Sequence, residues 1–208
     1  MNCTLAKLFL KFSNMLWEYR LGINSRGIVY GATESDFHHY STVSYRSTMA
    51  ILRSLSLKPS DVFVDIGCGK GRVLCCASRC RIQEVIGIEV DKTLCDIAKC
   101  NAKKVHGRKS SINVINVSAE EYDYRIGTVY YLFNPFGAST LNAVLAKMEQ
   151  AVQLKPRKLK IVYVNSVHDI VLNRCDWLEM YDRWEAGEQF GLMHDVSFWR
   201  TKDLKNVT

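Results

Sequence analysis

The segment Asp61–Arg72 constrains this chain more than any other, because it joins a short apolar run to three alternating glycines. Apolar residues at positions 62, 63, 64 and 66 suit a buried strand and surround one carboxylate, Asp65. The glycines follow at Gly67, Gly69 and Gly71. A strand that passes through a glycine-rich turn into a helix brings its backbone very close to a ligand. The segment therefore predicts a ligand-binding turn between a strand and a helix.

Strand and helix patterns alternate along the rest of the chain. The predicted strands cover residues 61–66, 85–90, 112–117, 128–134 and 159–164. The predicted helices cover residues 43–57, 71–80, 92–105, 139–152 (with Ser139 as N-cap) and 167–174, and two aromatic runs, 177–184 and 195–199, predict a hairpin. The pattern predicts an α/β fold: a doubly wound, Rossmann-like, mostly parallel seven-stranded sheet with a C-terminal antiparallel hairpin and an N-terminal helical extension.

The N-terminal segment 4–19 has apolar residues at positions 5, 8, 9, 12, 15, 16 and 19. This spacing predicts an amphipathic helix whose apolar face packs on the domain or on a partner, with association at a membrane surface as the less favoured alternative. Lys7 and Lys11 interrupt the run, which argues against a signal peptide, and no stretch is long enough to span a bilayer. We therefore expect a helical extension or lid over residues 1–42 and the main domain over residues 43–208.

Charge and cysteine content restrict the partners and the compartment. A net charge of +7 weakly favours an acidic partner such as nucleic acid. The basic clusters at 103–109 and 155–160 are, however, more simply explained as solvated surface at helix ends and loops. Eight cysteines occur without a Cys-x-x-Cys pair. This distribution argues against a metal site and predicts buried thiols in a reducing compartment, hence a cytoplasmic protein.

The carboxylate before the glycines indicates which ligand the turn binds. Dinucleotides place pyrophosphate at such a turn, where Asp65 would repel it, whereas this carboxylate would pair with an ammonium group. The segment resembles motif I of the class I S-adenosylmethionine-dependent methyltransferases, whose cofactor carries an ammonium group. The resemblance implies that S-adenosylmethionine is the cofactor and that its binding residues include Asp65, Gly67, Cys68, Gly69 and Gly71.

Two further positions match cofactor-binding positions of that family. Glu89 ends the second predicted strand, 20 residues after the second glycine of the turn, and the resemblance implies that it accepts both ribose hydroxyls. Asp91 is a close competitor, and a solvated charge at a strand end is the alternative. After the third strand, the resemblance implies that Glu120, with the backbone of Ala119, faces the adenine amino group; Ser118 or an exposed loop glutamate is the alternative.

The segment Asn134–Gly137 follows the fourth predicted strand and resembles the Asn/Asp-Pro-Pro-Tyr/Phe motif of amino-methylating enzymes. A similar Asn-Phe loop occurs in the seven-strand histone lysine methyltransferases. The resemblance implies that Asn134 and the following backbone carbonyl, that of Pro135, accept hydrogen bonds from the target nitrogen, while Phe136 stacks on a flat substrate. It predicts a nitrogen acceptor and leaves protein lysine, nucleobase and small-molecule amine open. The alternative is a plain turn after a strand.

The segment 38–45 resembles a stretch found upstream of motif I in bacterial methyltransferases of this type. The resemblance implies that Tyr40, Thr42 and Tyr45 close over the cofactor, and a polar lead-in to the helix is the alternative. The sequence singles out no general base for deprotonating an amine acceptor. The side chains considered for that role are Tyr30, Glu121, Tyr131 and His168.

Two other classes of function share these motifs. A nicotinamide-dependent oxidoreductase also has a glycine-rich turn and an acid after the second strand, but Asp65, the glycine spacing and the terminal hairpin argue against it. A binding module that keeps the cofactor pocket without catalysis would retain every motif.

Overall fold

The computed structural model describes residues 3–27, 42–187 and 192–202. The helices are α1 (Cys3–Leu21), α2 (Tyr45–Ser54), α3 (Arg72–Ala77), α4 (Lys92–Lys104), α5 (Ala138–Leu154) and α6 (Asp169–Asn173). The strands are β1 (Val62–Ile66), β2 (Glu84–Glu89), β3 (Ser111–Asn116), β4 (Val129–Phe133), β5 (Lys160–Val164), β6 (Leu178–Trp184) and β7 (Val196–Thr201).

The strands form one sheet in the order β3-β2-β1-β4-β5-β7-β6. Neighbouring strands from β3 to β5 pair in parallel, and β7 is antiparallel to both β5 and β6. The predicted doubly wound sheet with a terminal antiparallel hairpin is therefore confirmed. The direction of winding reverses between β1 and β4, which opens a crevice at the carboxyl ends of these two strands, where such sheets bind ligands.

Each face of the sheet packs on its own hydrophobic core, because side chains alternate along every strand. On β1, Phe63 points into the core formed with α2, α3 and α4, whereas Val64 points into the core formed with α5 and α6. All five residues of β1 are buried. This continuous burial is typical of a central parallel strand. It fixes the backbone that leads into the turn Gly67–Gly71, which we call the glycine turn.

Several predicted helix boundaries are wrong. The helix expected over 43–57 is α2, which spans only Tyr45–Ser54. The helix expected over 71–80 ends after Ala77, where the chain tightens into a turn. The helix expected to begin at Ser139 begins at Ala138, with an extended Gly137 as its N-cap. Leu141 donates its N–H to the Gly137 carbonyl, so Ser139 lies inside the first turn and does not cap it.

The N-terminal helix is confirmed. Of the two placements expected for its apolar face, packing on the domain is wrong, whereas packing on a partner stays a prediction. Residues 8, 9, 12, 15, 16 and 19 are exposed, and the other face packs. Trp17 stacks on Tyr45 with ring centroids 5.9 Å apart, Asn14 accepts the Tyr45 N–H at 3.1 Å, and Leu21 is fully buried. Among the described helices, none combines the length and hydrophobicity that crossing a bilayer requires.

Candidate functional site

All three glycines of the glycine turn have left-handed backbone, with φ of 74° at Gly67, 53° at Gly69 and 79° at Gly71. The N–H groups of Gly67 and Cys68 both donate to the Ile88 carbonyl on β2 at 2.9 Å. The turn is thereby fixed to the neighbouring strand before α3 begins, which places its remaining backbone at the crevice.

Two of these glycines also permit close packing between elements. A Cβ at Gly67 would lie 2.7 Å from the Cβ of Pro135, and a Cβ at Gly71 would lie 3.2 Å from that of Ala98. The first distance is far below the usual separation of non-bonded carbons. Gly67 therefore lets the loop after β4 contact the turn, and Gly71 lets α3 approach α4.

Two buried carboxylates lie at the carboxyl ends of the adjacent strands β1 and β2. Asp65 is 3% exposed and Glu89 is 7% exposed. Burial and the nearby Glu89 raise the pKa of Asp65 well above its ordinary value, and burial raises the pKa of Glu89. Two ionised carboxylates in this setting repel each other, so a ligand with a positive charge or with hydroxyl donors stabilises them.

Glu89 is oriented by backbone donors on both sides. Its Oε2 accepts the Gly69 N–H at 2.8 Å, and its Oε1 accepts the Asp91 N–H at 2.9 Å. Each oxygen keeps a second acceptor direction for a hydroxyl. Asp91, the competing candidate, instead caps α4 by accepting the Leu94 N–H at 2.9 Å. Asp91 is thus engaged in capping, and the ribose contact assigned to Glu89 stays a prediction.

Asn134 is held in a left-handed conformation, with φ of 37°, which asparagine tolerates better than most residues. The Tyr163 hydroxyl donates to its Oδ1 at 2.8 Å, and burial raises the pKa of Tyr163 to about 12. A carbonyl oxygen accepts two hydrogen bonds, so Oδ1 retains one position for a donor on a substrate.

The stacking role predicted for Phe136 is wrong for this structure. The Phe136 ring is 2% exposed and lies in the core beneath α5, together with Leu132 and Leu141. Its ring turns inward because α5 begins two residues later and buries the apolar side chain that precedes it.

The turn after β3 holds the two predicted adenine contacts in different environments. Ala119 is buried, and its carbonyl accepts the Tyr124 hydroxyl at 2.7 Å. Glu120 is exposed, and Ser118 is partly buried. The adenine contact assigned to Glu120 and Ala119 stays a prediction.

Thr42 lies beside a small pocket near the end of β5, whose lining is Thr42, Val43, Ser44, Ser47, Val164, Leu192, Met193 and His194. The His194 ring lies 5.3 Å from that of Phe133, the residue before Asn134. Burial lowers the pKa of His194, which favours a neutral, proton-accepting imidazole near the loop. The sequence did not reveal His194, because it belongs to the hairpin and to no motif.

The other upstream residues differ in their placement. Tyr40 and Tyr30 lie outside the described residues. Tyr45 is fully buried, with its hydroxyl 3.3 Å from the Ser25 Oγ. Its predicted role in closing over the cofactor is therefore wrong, since the ring fills the space between α1 and α3.

A buried ion pair that no sequence motif indicates joins α1 to the glycine turn. Glu18 is 3% exposed, and its Oε1 lies 3.3 Å from the guanidinium of Arg72, the first residue of α3. Arg72 also donates to the Ser25 Oγ at 2.8 Å and to the Val43 carbonyl at 3.0 Å. The Glu18 Oε2 pairs with Arg26 at 2.7 Å.

Two more side chains extend this connection. The Lys70 ammonium, inside the turn, donates to the Arg26 carbonyl at 2.6 Å. The Asn101 amide donates to the carbonyls of Lys70 and Asn24, both at 2.9 Å. We call Glu18, Lys70, Arg72 and Asn101 the N-terminal clasp. It fixes the segment after α1 against the back of the predicted cofactor turn.

The cysteines behave mainly as core residues. Cys68, Cys75, Cys76 and Cys95 are buried, whereas Cys100 is exposed. Burial raises the pKa of Cys75 to about 12, which keeps its thiol protonated. Within the described ranges, no cluster of three or more His, Cys, Asp or Glu side chains is arranged to hold a metal.

Tyr131 is poorly suited to act as a general base. Its hydroxyl is buried with no hydrogen-bond partner in the described part of the chain, and burial with the nearby Asp65 raises its pKa well above the ordinary value. His168 is the N-cap residue of α6, and Glu121 is exposed on the turn after β3.

The family model described as Histone methylation protein DOT1 matches residues 25–126, just under half of the chain. The match includes the glycine turn and Glu89 and ends before β4, so the Asn134 loop lies outside it. Among curated protein sequences, none matches this chain significantly.

Solved structures with the same architecture match most of the chain. An RNA methyltransferase from Salinibacter ruber, crystallised with S-adenosyl-L-homocysteine, is 19% identical, with a TM-score of 0.55 over 81% of this chain and 98% of that protein. The magnesium protoporphyrin IX methyltransferase of Synechocystis, with bound SAM, is 12% identical, with a TM-score of 0.56 over 95% and 97%.

An S-adenosylmethionine-dependent O-methyltransferase from Thermotoga maritima is 15% identical, with a TM-score of 0.58 over 81% of this chain and 69% of that protein. Identities this low establish a fold and leave the substrate open. Together with the strand order and the antiparallel β7, these likenesses show that the chain has the class I methyltransferase fold.

Proposed function

We propose that the chain is an S-adenosylmethionine-dependent methyltransferase that acts on a nitrogen acceptor. The observation that carries the proposal is the pair of buried carboxylates, Asp65 and Glu89, at the ends of adjacent strands beside a left-handed glycine turn. Asp65 binds the cofactor's ammonium, and Glu89 binds the ribose hydroxyls. The ammonium group and the ribose hydroxyls offset the free-energy cost of burying the two carboxylates, so Asp65 and Glu89 fit this cofactor.

The bound cofactor supplies a methyl group on an electron-deficient sulfonium, and the protein therefore acts chiefly by positioning. The fixed Glu89 carboxylate and the glycine turn hold the donor. The Asn134 Oδ1, oriented by Tyr163, accepts a hydrogen bond from the acceptor amine and directs its lone pair. His194, with its lowered pKa, takes the proton that a charged amine must lose before attack.

The nitrogen acceptor is supported by the asparagine loop and by the description of the matching family, which concerns histone methylation. The other structural relatives include an RNA methyltransferase and an O-methyltransferase, so the fold alone does not select the acceptor. A protein lysine agrees best with both lines of support.

Nucleic acid is the less favoured acceptor. In the second basic cluster, Arg157 donates to the carbonyls of Gly127 and Ala151 at 3.1 and 2.9 Å. Lys160 donates to the Leu55 carbonyl at 2.6 Å. These cations stabilise loops and a helix end, which reduces their availability for phosphates.

Calorimetric titration with S-adenosylhomocysteine and with NAD tests the cofactor. We expect binding of the first only, and we expect Asp65→Asn to weaken it about a hundredfold, since breaking a buried charge pair costs about 3 kcal/mol. Leu154→Gln, at an exposed site at the C-terminal end of α5, is the control. Binding of NAD alone would identify an oxidoreductase.

Transfer of a labelled methyl group into fractionated cell extract tests the acceptor. Label in protein that survives RNase treatment and is lost in Asn134→Ala supports the nitrogen-acceptor reading. Label in RNA would shift the acceptor class. Cofactor binding without label in any fraction would identify a non-catalytic binding module.

A further inference from the structure

One face of α1 presents six large apolar side chains to solvent. Each is at least 45% exposed, and Tyr19 reaches 84%. Their spacing follows the helical period, so they form a continuous surface. We call this surface the apolar stripe; it consists of Leu8, Phe9, Phe12, Met15, Leu16 and Tyr19. An apolar surface of this extent marks an interaction site.

The stripe is not a poorly packed core face. The opposite side of α1 is fixed to the domain by the buried Glu18–Arg72 ion pair, by the stacking of Trp17 on Tyr45, and by the buried Leu21. These contacts set the rotation of the helix about its axis. The stripe therefore points away from the domain because the polar clasp holds the other face inward.

The charges around the stripe are positive. Lys11 and Arg20 are exposed on its two flanks. Glu18 is the only acidic residue of α1, and it is buried and neutralised by Arg72 and Arg26. The solvent-facing side of α1 thus combines apolar side chains with the exposed cations Lys11 and Arg20.

A second set of cations adjoins the C-terminal end of α1. The His106 N–H donates to the Leu21 carbonyl at 2.9 Å, and a Cβ at Gly22 would lie 2.8 Å from the His106 ring. His106 belongs to the exposed basic cluster that includes Lys103, Lys104, Arg108 and Lys109. The helix and this cluster therefore offer positive charge beside apolar surface.

We propose that α1 lies in the headgroup region of an anionic membrane surface, with the apolar stripe among the acyl chains. In-plane amphipathic helices bind in this way, through buried apolar area and attraction between cations and anionic lipids. A second copy fits less well, because two facing stripes would bring their cationic flanks together without an exposed carboxylate on either helix. Nucleic acid offers charge but no apolar interior for leucine and methionine. The proposal does not depend on methyl transfer.

Flotation of the full chain with lipid vesicles tests this proposal. We expect binding to vesicles of phosphatidylcholine mixed with phosphatidylglycerol, much weaker binding to phosphatidylcholine alone, and weakening by salt. Phe12→Glu combined with Leu16→Glu should reduce binding at least about tenfold, because each apolar side chain buried in lipid contributes roughly that factor. Both sites are exposed, so circular dichroism should show an unchanged fold.

Leu154→Glu is the matched control, since Leu154 is 78% exposed at the end of α5, and it should leave vesicle binding unchanged. Lys11→Glu should weaken binding to anionic vesicles only. Absence of vesicle binding, or equal binding to neutral and anionic vesicles, would overturn the proposal. So would a dimer, seen by light scattering without lipid, that the Phe12 and Leu16 substitutions dissociate; the stripe would then be a self-association surface.

Discussion

Replacing Arg72 with methionine removes the guanidinium group of the N-terminal clasp while keeping most of the apolar stem of the side chain. Three hydrogen bonds disappear, to the Ser25 Oγ at 2.8 Å, the Val43 carbonyl at 3.0 Å and the Glu18 Oε1 at 3.3 Å. Breaking one side of a buried ion pair costs about 3–5 kcal/mol. Arg26 still pairs with the other Glu18 oxygen at 2.7 Å, so we expect the lower end, about 3 kcal/mol of unfolding free energy.

Urea unfolding followed by circular dichroism measures this loss, and in a thermal scan it corresponds to a melting temperature lower by roughly 6–12 °C. Arg53→Met is the matched control, because Arg53 is an exposed arginine at the end of α2, and it should change stability by less than about 0.5 kcal/mol. Adding Glu18→Gln to Arg72→Met should restore part of the loss, since the unpaired buried charge is then removed.

The reasoning fails if Arg72→Met is no more destabilising than Arg53→Met. It also fails if Glu18→Gln worsens the Arg72→Met variant by as much as it affects the parent protein, since the two side chains would then act independently.

Three further predictions concern the crevice. Gly67→Ala should destabilise the protein by about 2–4 kcal/mol in thermal melts, because Gly67 has a left-handed φ and the loop after β4 approaches it closely. Gly187→Ala, at a site with open space around it, should leave the melting temperature unchanged. Tyr163→Phe should lower methyl-transfer kcat at least about tenfold while calorimetric affinity for S-adenosylhomocysteine stays unchanged; equal losses in both would contradict a positioning role. Burial raises the pKa of Asp65 and Glu89. Cofactor affinity should therefore begin to fall at a pH above the ordinary carboxyl range of about 4, as these two carboxylates become protonated. Protonation of the same carboxyls should stabilise the unliganded fold. A calorimetric affinity that stays constant down to that range would refute this pH dependence.

Much of the fold was predictable because its signals are local. The apolar run of β1 and the helical spacing of α4 each specify an element within a short window, and alternation of strands and helices then specifies a parallel sheet. Glu89 was predictable for a similar reason: its place is set by a strand end at a fixed distance from the glycine turn.

The orientation of individual side chains was less predictable. Phe136 belongs to a recognisable motif, yet its ring is buried under α5. Tyr45 matched an upstream pattern, yet it fills the space between α1 and α3. A motif identifies residue types at a spacing, whereas the direction of a ring depends on which apolar neighbours are available to cover it.

The sequence by itself determined the sheet, the glycine turn and the two acids at its edge, since each depends on residues close together in the chain. Only the tertiary structure decided that Gly67 makes room for Pro135, that Arg72 pairs with Glu18, and that α1 therefore turns its apolar stripe outward. These contacts join residues more than fifty positions apart. No local period encodes them, because they form only when packing brings separate elements together.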